Sequence, residues 1–484
     1  MKKIISKLMG GVLLFSLSMS LTSCEGALDD ILGEWSRPTP GSSTGGAVAV
    51  TSIDLDADEM KLTVGDKGQL TAKVDPAGTA VTWSSDKEEI ATVDANGMVT
   101  AVAVGTAIIT AKAGDKTATC EVTVLPTLST PLTVEAITAG TITVTSPQSG
   151  MQYSLNGGAK TAVSGDINVA AGEKVEFYGN GTTIKSYNGT TIVGGTADIK
   201  VYGNIMSLVD EEGFATNTEL PAISTFKELF KDNAKLTDAS GLLLPATTLK
   251  ASCYWGMFSG CTGLTTVPEK LLPATTLADH CYRSMFENCT GLTTLPEKLL
   301  PATEMKSNCY SSMFNQCTGL TTLPEKLLPA TVMATNCYAY MFKGCTGLTT
   351  LPEKLLPAET LANNCYQNMF YGCNKLTTAP ALPVTTLADN CYYQMFNGCT
   401  KLTTAPKLPA TELKQGCYYG MFENCTSLTA AYVRAAYTDT NNKCTNMFNG
   451  CTAAGTKTLH TTTASKGSWS SGVPGTWTVA DDWN

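Results

Sequence analysis

The sequence predicts a multidomain, mainly β protein in which two small β-sandwiches precede an elongated repeat solenoid with short helices. Three observations predict this class. Short apolar alternations between turn residues fill residues 49–204, a unit of 28 or 26 residues recurs after them, and only 15% of the 484 residues are charged. Since domains average ~150 residues, a chain of this length is expected to form several domains rather than a single hydrophobic core. The net charge of −9, without a basic cluster, argues against a nucleic-acid partner.

Residues 1–23 have the pattern of an export signal. A positive start that includes Lys2 and Lys3 is followed by an apolar stretch around Val12–Leu17, which is too short to span a membrane. The stretch ends in Leu21-Thr22-Ser23-Cys24, which resembles the bacterial lipobox. This resemblance implies that Cys24 is lipidated and that the membrane is a partner through the lipid; the alternative is an ordinary buried cysteine.

The residues after Cys24 predict a flexible tether over 24–48. Pro38–Gly46 is rich in Pro, Gly, Ser and Thr and cannot bury enough apolar surface to fold. Glu25, Asp29 and Asp30 resemble the surface-export signal of Bacteroidetes lipoproteins. The resemblance implies an outer-membrane lipoprotein on the cell surface of a Bacteroidetes-like bacterium.

Residues 49–125 predict the first sandwich, because apolar residues alternate along short segments separated by turns. The segments Val81–Ser85, Ile90–Asp94, Gly97–Ala101 and Gly105–Ile109 resemble the bacterial Ig-like group 2 family. Trp83 is expected to fill the core, with carbohydrate stacking as the alternative. Cys120, in phase with Val122 and Val124, is expected to be a buried thiol.

Residues 130–204 predict a second small β domain. Segments such as Val175–Tyr178 and Ile199–Tyr202 alternate in the same manner, and Asn-Gly turns separate them. No chemical motif occurs in this domain.

Residues 205–452 contain the repeats. The unit Cys-Tyr-x-x-Met-Phe-x-x-Cys-x-x-Leu begins at Cys253, Cys281, Cys309, Cys337, Cys365, Cys391 and Cys417, and a shorter copy runs from Cys444 to Cys451. Such units must stack to close a shared core. The Phe and Leu residues of successive units are therefore expected to form buried ladders, with the Met residues filling gaps.

A leading unit lies 28 residues earlier, where Leu229–Leu236 aligns with Met257–Leu264. Thr225 and Asn233 replace both cysteines there, which suggests that the cysteines act as pairs. After the repeats, residues 453–484, with Trp469, Trp477 and Trp483, are expected to form a C-terminal cap over the last open edge.

The repeat cysteines allow two interpretations. One is a disulfide within each unit, as expected of an exported protein; the other is two columns of buried reduced thiols. A straight helix would place the two Cα atoms ~12 Å apart, beyond bridging distance, so a disulfide needs a bend. The possible pairs are Cys253 with Cys261, Cys281 with Cys289, Cys309 with Cys317, Cys337 with Cys345, Cys365 with Cys373, Cys391 with Cys399, Cys417 with Cys425 and Cys444 with Cys451.

The recurrent aromatic-x-x-Cys-x-x-Leu unit resembles the leucine-rich repeats of the BspA-like family of bacterial surface proteins. The resemblance spans about 225–452, and it implies adhesion to host matrix proteins or to other bacteria. The additional upstream Cys departs from the family pattern and leaves the local turn geometry open.

The repeats are also expected to expose columns of Thr, of Glu and Lys, and of the Tyr residues from Tyr254 to Tyr418. The positions after each Tyr vary between units and are the candidate binding surface, represented by Trp255, Arg283, Tyr340, Tyr393 and Tyr419. A merely solvated face is the alternative.

These features predict a non-enzymatic adhesin or ligand-capture protein with a host matrix protein, mucin, glycan or other bacterial surface as its ligand. His280 and His460 are the only histidines, and His280 occupies a variable surface position. No catalytic motif is recognisable, and no cofactor or metal is expected. The alternative is a structural or assembly component of the cell envelope without an external ligand, and a glycan hydrolase is a remote third.

Overall fold

The computed structural model describes residues 49–179 and 186–483. The predicted export signal, the lipidated Cys24 and the tether therefore lie outside the described residues. The mainly β class is confirmed. In the described part of the chain, no helix has the length and apolarity that a membrane-spanning segment needs.

The first sandwich contains nine strands: β1 (Ser52–Leu55), β2 (Glu59–Thr63), β3 (Lys67–Gln69), β4 (Ala72–Asp75), β5 (Thr82–Ser85), β6 (Ala91–Val93), β7 (Met98–Ala101), β8 (Gly105–Ala113) and β9 (Lys116–Leu125). They form a sheet in the order β2-β9-β8-β5, a sheet in the order β3-β7-β6, and the pair β1-β4. Trp83 is half-buried and packs against this core, and Cys120 is fully buried beside Val122. Gly97 has φ +82°, and a Cβ there would lie 2.7 Å from the Trp83 ring, so the turn requires glycine.

The second β domain contains eight strands: β10 (Leu132–Ala136), β11 (Gly140–Thr145), β12 (Gln152–Leu155), β13 (Thr161–Ala162), β14 (Ile167–Val169), β15 (Lys174–Tyr178), β16 (Thr191–Gly194) and β17 (Ile199–Asn204). Its two sheets enclose a core that includes Leu132, Val134 and Phe177. Strand β17 also pairs in parallel with β18 (Leu236–Leu243), the first strand of the repeats. The buried residues of this domain and of the repeats form one continuous core.

Between the two cysteines of each unit the chain forms consecutive turns. The prediction of short helices in the repeats is therefore wrong for this segment. Every second amide donates to the next unit, as Tyr282 N–H does to the Cys309 carbonyl at 3.0 Å. The intervening amides close turns within the unit, as Met285 N–H does to the Tyr282 carbonyl at 3.2 Å. A positive φ recurs at every fourth residue, such as Ser284 and Asn288, and it interrupts the helical backbone.

The stacked units place identical residues above one another, which confirms the expected ladders. The ladder phenylalanines are at most 1% exposed, and neighbouring rings lie 5.4 to 5.9 Å apart. The ladder consists of Phe258, Phe286, Phe314, Phe342, Phe370, Phe396, Phe422 and Phe448. Each buried ring contributes roughly 1.5 to 3 kcal/mol before conformational entropy.

The C-terminal end closes with a parallel sheet of β19 (Thr404–Leu408), β20 (Ala430–Val433), β21 (Lys457–His460) and β22 (Trp477–Ala480). One turn of α-helix, α1 (Thr463–Lys466), and 3₁₀ turns at Ile205–Leu208, Thr440–Asn442 and Gly467–Ser470 are the helices of the described residues. Trp469 is fully buried against Phe448 and donates to the Ala435 carbonyl at 2.9 Å. The indole thereby covers the last ring of the ladder.

Candidate ligand-binding face

The two residues between the buried Tyr and the buried Met of each unit lie on one side of the stack. We call the positions 255–256, 283–284, 311–312, 339–340, 367–368, 393–394 and 419–420 the variable face; at least one residue of each pair is partly exposed, and Gly256, Ser284, Ser311, Ala339, Asn368 and Gly420 are buried. The five residues that the sequence suggested for binding lie on it and are partly exposed: Trp255, Arg283, Tyr340, Tyr393 and Tyr419.

Trp255 is the centre of a cluster of cations at the N-terminal end of this face. The Lys227 ammonium lies 4.6 Å from the indole ring centre, and the Arg283 guanidinium lies 4.9 Å from it. The His280 ring stacks on the same indole at 6.1 Å. The negative face of the indole attracts both cations and holds them in place.

Tyrosines occupy the C-terminal half of the face. Tyr393 and Tyr419 stack with their ring centres 4.8 Å apart, and burial together with Tyr419 and Tyr340 raises the pKa of Tyr393. The Gln367 amide donates to the Tyr340 hydroxyl at 2.9 Å, and the Lys343 ammonium lies 5.6 Å from the Tyr340 ring. Lys227, Lys343 and Gln367 were not identified from the sequence. Their registers, at or near those of the candidate residues, would have revealed them.

Next to the variable face runs a column of polar residues that carries carboxylates. The Asn315 amide donates to Glu287 at 2.7 Å. Asn397 and Asn449 donate to the two oxygens of Glu423 at 2.8 and 2.9 Å. These carboxylates are thus bound by amides of neighbouring units.

The expected exposure of the Tyr column was wrong. These rings are at most 2% exposed and stack inside the core, next to the variable face: Tyr254, Tyr282, Tyr310, Tyr338, Tyr366, Tyr392 and Tyr418. Burial raises the pKa of every one of them. The Thr columns and the Glu and Lys columns are exposed, as expected; they comprise Thr266, Thr294, Thr322, Thr350, Glu269, Glu297, Glu325, Glu353, Lys270, Lys298, Lys326 and Lys354.

All the repeat cysteines are free and buried in the structure, in two columns with different surroundings. Each thiol of the second column donates to the Phe carbonyl of the preceding unit, as Cys317 does to Phe286 at 3.0 Å. In the first column, the Cys337 thiol contacts the Met333 sulfur at 3.6 Å. Burial raises the pKa of these thiols, which disfavours the reactive thiolate.

The leading unit lacks both cysteines for a reason that the structure shows. The preceding neighbour of Asn233 is not another unit but strand β16. The Asn233 side chain accepts from Gly194 N–H at 3.2 Å and donates to the Ile192 carbonyl at 3.5 Å. Thr225 donates to the Ala222 carbonyl at 2.6 Å. Different neighbours thus require different side chains, and the joint loss does not depend on a disulfide.

Other polar groups of the described residues form separate local contacts. His460 Nδ1 lies 2.7 Å from Asp482, and its ring stacks on Tyr432. A cleft of about 600 Å³ separates the first sandwich from the second domain, and its Glu135 binds Lys200 at 2.9 Å and Tyr202 at 3.1 Å. Within residues 49–179 and 186–483, no three His, Cys, Asp or Glu side chains are grouped to hold a metal.

Comparison with known proteins identifies the first sandwich. Residues 79–125 match the family described as Big-like, a bacterial Ig-like domain. The Ig-like part of the sequence interpretation is therefore confirmed. The match does not extend to the repeats, whose BspA-like assignment stays a prediction.

The curated relatives share short stretches with this chain. An uncharacterized protein of Clostridium acetobutylicum is 36% identical over 118 residues, which are 24% of this chain and 11% of that protein. Lacto-N-biosidase of Bifidobacterium bifidum is 50% identical over 68 residues, which are 13% of this chain and 6% of that enzyme. The chain therefore spans about a tenth or less of the length of these relatives.

Two solved structures of the surface layer protein SbsC are also similar. Domains 1–6 cover 27% of this chain and 22% of their own, at 19% identity and a TM-score of 0.15. Domains 5–6 cover 28% of this chain and 86% of their own, at 18% identity and a TM-score of 0.15. At these TM-scores the similarity carries no inference about function.

Proposed function

We propose that this chain is a non-enzymatic cell-surface lipoprotein, an adhesin or ligand-capture protein that binds an external protein or glycan through the variable face. The partner would be a host matrix protein, a mucin, a glycan or the surface of another bacterium. We also propose that the repeats belong to the BspA-like leucine-rich repeat family and that lipidated Cys24 holds the chain at the outer membrane.

The contrast between the variable face and the core beneath it carries this proposal. Inside the stack, Tyr, Met and Phe recur with little change from unit to unit, because each residue packs on its own copy. On the variable face the same backbone presents Trp255, Arg283, Tyr340 and Tyr393 at neighbouring positions. Packing does not require such diversity. Aromatic and Arg side chains are the residues that dominate the energies of protein interfaces.

The size of the face fits a macromolecular ligand. At ~4.8 Å between units, the seven units from Cys253 to Cys417 provide a row about 29 Å long between the first and the last. The aromatic residues are partly ordered before binding, since Trp255 contacts two cations and Tyr393 stacks on Tyr419. Such preorganisation lowers the entropy lost on binding.

The proposal is tested with the purified chain from residue 49 onward on immobilised mucins, matrix proteins and glycans. A variant with W255A, Y393A and Y419A should bind its ligand roughly 30-fold more weakly, as the loss of a hot spot of about 2 kcal/mol implies. The matched control carries T266A, T294A and T322A in the exposed Thr column and should bind like the wild type. Equal binding by both variants, or no binding by the wild type, would contradict the proposal.

Surface exposure is tested separately on intact cells. If the chain faces outward, protease added to the cells should remove the repeats without lysis. Survival of the repeats until the cells are opened would favour the alternative, a structural or assembly component inside the envelope.

A further inference from the structure

Three cations lie on or beside the variable face at intervals of two units along the stack. Lys227 and Arg283 occupy the same register two units apart. Lys343 lies two units further along the stack but four residues off that register, in the neighbouring column that also carries Glu287 and Glu423. At ~4.8 Å for each unit, successive cations are separated by about 10 Å along the stack. All three lie over aromatic rings: Lys227 and Arg283 over Trp255, and Lys343 over Tyr340 and Tyr371.

The carboxylates near these cations bind other groups. Glu228 forms its short ion pair with Lys231 at 2.9 Å and approaches Lys227 only to 4.0 Å. Glu287 and Glu423 accept hydrogen bonds from asparagine amides of neighbouring units. Among the described residues, neither Arg283 nor Lys343 forms an ion pair with a carboxylate. Their charges are therefore available to an external anion, although the chain as a whole carries a net charge of −9.

Arg283 also contains an unsatisfied group. Its Nε is buried without a hydrogen-bond partner, and the guanidinium carbon lies 4.9 Å from the centre of the Trp255 ring. A guanidinium fixed in this way presents its remaining N–H groups as a planar fork, which matches the two oxygens of a carboxylate or a sulfate. Trp255 and Tyr340 are then positioning residues for Arg283 and Lys343.

We propose that the ligand of the variable face is an extended acidic polysaccharide with an anionic group on alternate sugars. An extended pyranose is about as long as the rise of one unit, so a charge on every second sugar would meet Lys227, Arg283 and Lys343 in turn. Tyr393 and Tyr419 would contact the apolar faces of the following sugars. The inference rests on the proposed function, because it names the ligand class of the same face.

The experiment measures binding of the chain from residue 49 onward to four probes: hyaluronan, which carries only carboxylates; dextran sulfate, which carries only sulfates; chondroitin sulfate, which carries both; and neutral dextran. The acidic probes should bind more tightly than dextran, and binding should weaken as salt is raised. R283Q and K343Q should each weaken binding about tenfold, the loss expected for one charge-assisted contact. W255A should also weaken binding of the acidic probes, and W255F should bind them more tightly than W255A does.

The matched control removes the same charge elsewhere. K298Q and K326Q lie in the exposed Lys column away from the variable face and should leave binding unchanged. Preference for hyaluronan, whose carboxylates lie on alternate sugars, would support the proposal and assign carboxylate as the anion, and preference for chondroitin sulfate over hyaluronan would assign sulfate. Preference for dextran sulfate, which carries sulfates on every sugar, or its equal binding with hyaluronan, would overturn the alternate-sugar spacing. Equal binding to neutral dextran, or equal losses in the control and in R283Q, would overturn the proposal.

The outcomes separate this inference from the proposed function. If mucin or matrix proteins bind through the variable face while every acidic probe fails, the acidic-polysaccharide proposal is wrong and the adhesin proposal stands. If no immobilised ligand and no probe binds, both are wrong.

Discussion

The repeat cysteines are buried as free thiols in the core of the stack. A second-column thiol donates to the Phe carbonyl of the preceding unit, which also accepts the backbone N–H of the cysteine in its own unit, as the Phe286 carbonyl does from Cys317 Sγ and from Cys289 N–H. Burial raises the pKa of the Cys309 and Cys373 thiols to about 12, from an ordinary value of 9.0. The folded state therefore keeps these protons at pH values where the unfolded chain loses them.

This difference predicts alkaline unfolding. Below pH 9 the thiols are protonated in both states, and their contribution to stability is fully present. Between pH 9 and about 12 only the unfolded thiols ionise, so each thiol lowers the free energy of unfolding by about 1.4 kcal/mol for every pH unit. The midpoint of thermal unfolding should thus be level from pH 6 to 8 and fall steeply above pH 9.

Thiol counting provides the control for this prediction. The denatured chain, without reductant, should be alkylated at every repeat cysteine, and the native chain at pH 8 should be almost unlabelled. If denatured protein takes up no label until it is reduced, the units contain disulfides instead and the alkaline transition loses its cause.

Tyr340 combines a partly exposed side chain with an unfavourable backbone conformation. Its φ is +61°, whereas the same column carries Ser312 and Asn368 in the neighbouring units. A bulky L-residue in the left-handed region costs about 1 to 2 kcal/mol, and asparagine tolerates it better.

Replacement of Tyr340 should therefore separate stability from binding. We expect Y340N to raise the free energy of unfolding in urea by about 1 kcal/mol and to weaken ligand binding. The control Y393N lies outside the positive-φ column and should weaken binding without a gain in stability. A lower free energy of unfolding in Y340N would contradict this prediction. It would show that packing of the Tyr340 ring stabilises the fold by more than the positive φ destabilises it.

At the scale of the element, the unit is one layer of the stack. Its alternate amides bond to the next layer, and its Phe and Tyr rings stack on their copies. The layers should therefore be removable only as whole units, since each bond joins a residue to a fixed register of the next unit, as Phe286 N–H joins the Met313 carbonyl.

Deletion of residues 309–336 removes one 28-residue unit and brings Phe286 next to Phe342 in the same register. We expect a folded protein with an unchanged far-ultraviolet circular dichroism per residue and a slightly lower unfolding temperature. Deletion of residues 309–322, half a unit, should abolish cooperative unfolding because it places apolar residues against turn residues. Similar behaviour of the two deletions would contradict a registered stack.

At the scale of the whole molecule, the buried cores define the unfolding units. The first sandwich has its own clusters, which include Ile109 and Ala111. The second β domain and the repeats share a single cluster from Leu132 to Trp477. Calorimetry should therefore show one transition for the first sandwich and another for the rest of the chain.

Core substitutions should shift these transitions separately. I109A truncates a fully buried side chain of the first sandwich. It should lower the free energy of unfolding of that sandwich by about 2 to 5 kcal/mol and leave the other transition unchanged. F314A lies in the middle of the Phe ladder. It should lower the free energy of unfolding of the second domain and the repeats by about 3 to 5 kcal/mol and leave the transition of the first sandwich unchanged. A shift of both transitions by either variant would show that the cores unfold together.

The sequence by itself determined the β class, the Ig-like domain and the stacked ladders. Apolar residues with a period of two or of one unit can be buried only on one face or in one column, so Phe258 and Phe286 had to stack. The variation in residue type at the positions after each Tyr likewise indicated that Trp255 and Tyr393 are exposed.

Only the tertiary structure decided which aromatic column faces the solvent and what joins the side chains of the variable face. Tyr254 and Trp255 are adjacent, and either could point inward until consecutive turns with alternate bonding fix the direction of each residue. The same turns replaced the expected helices, because the inter-unit bonds that stabilise them lie far apart in sequence. Lys227 and Trp255 share a register one unit apart, which the sequence shows, but only the stacked structure shows that the ammonium lies 4.6 Å from the indole ring.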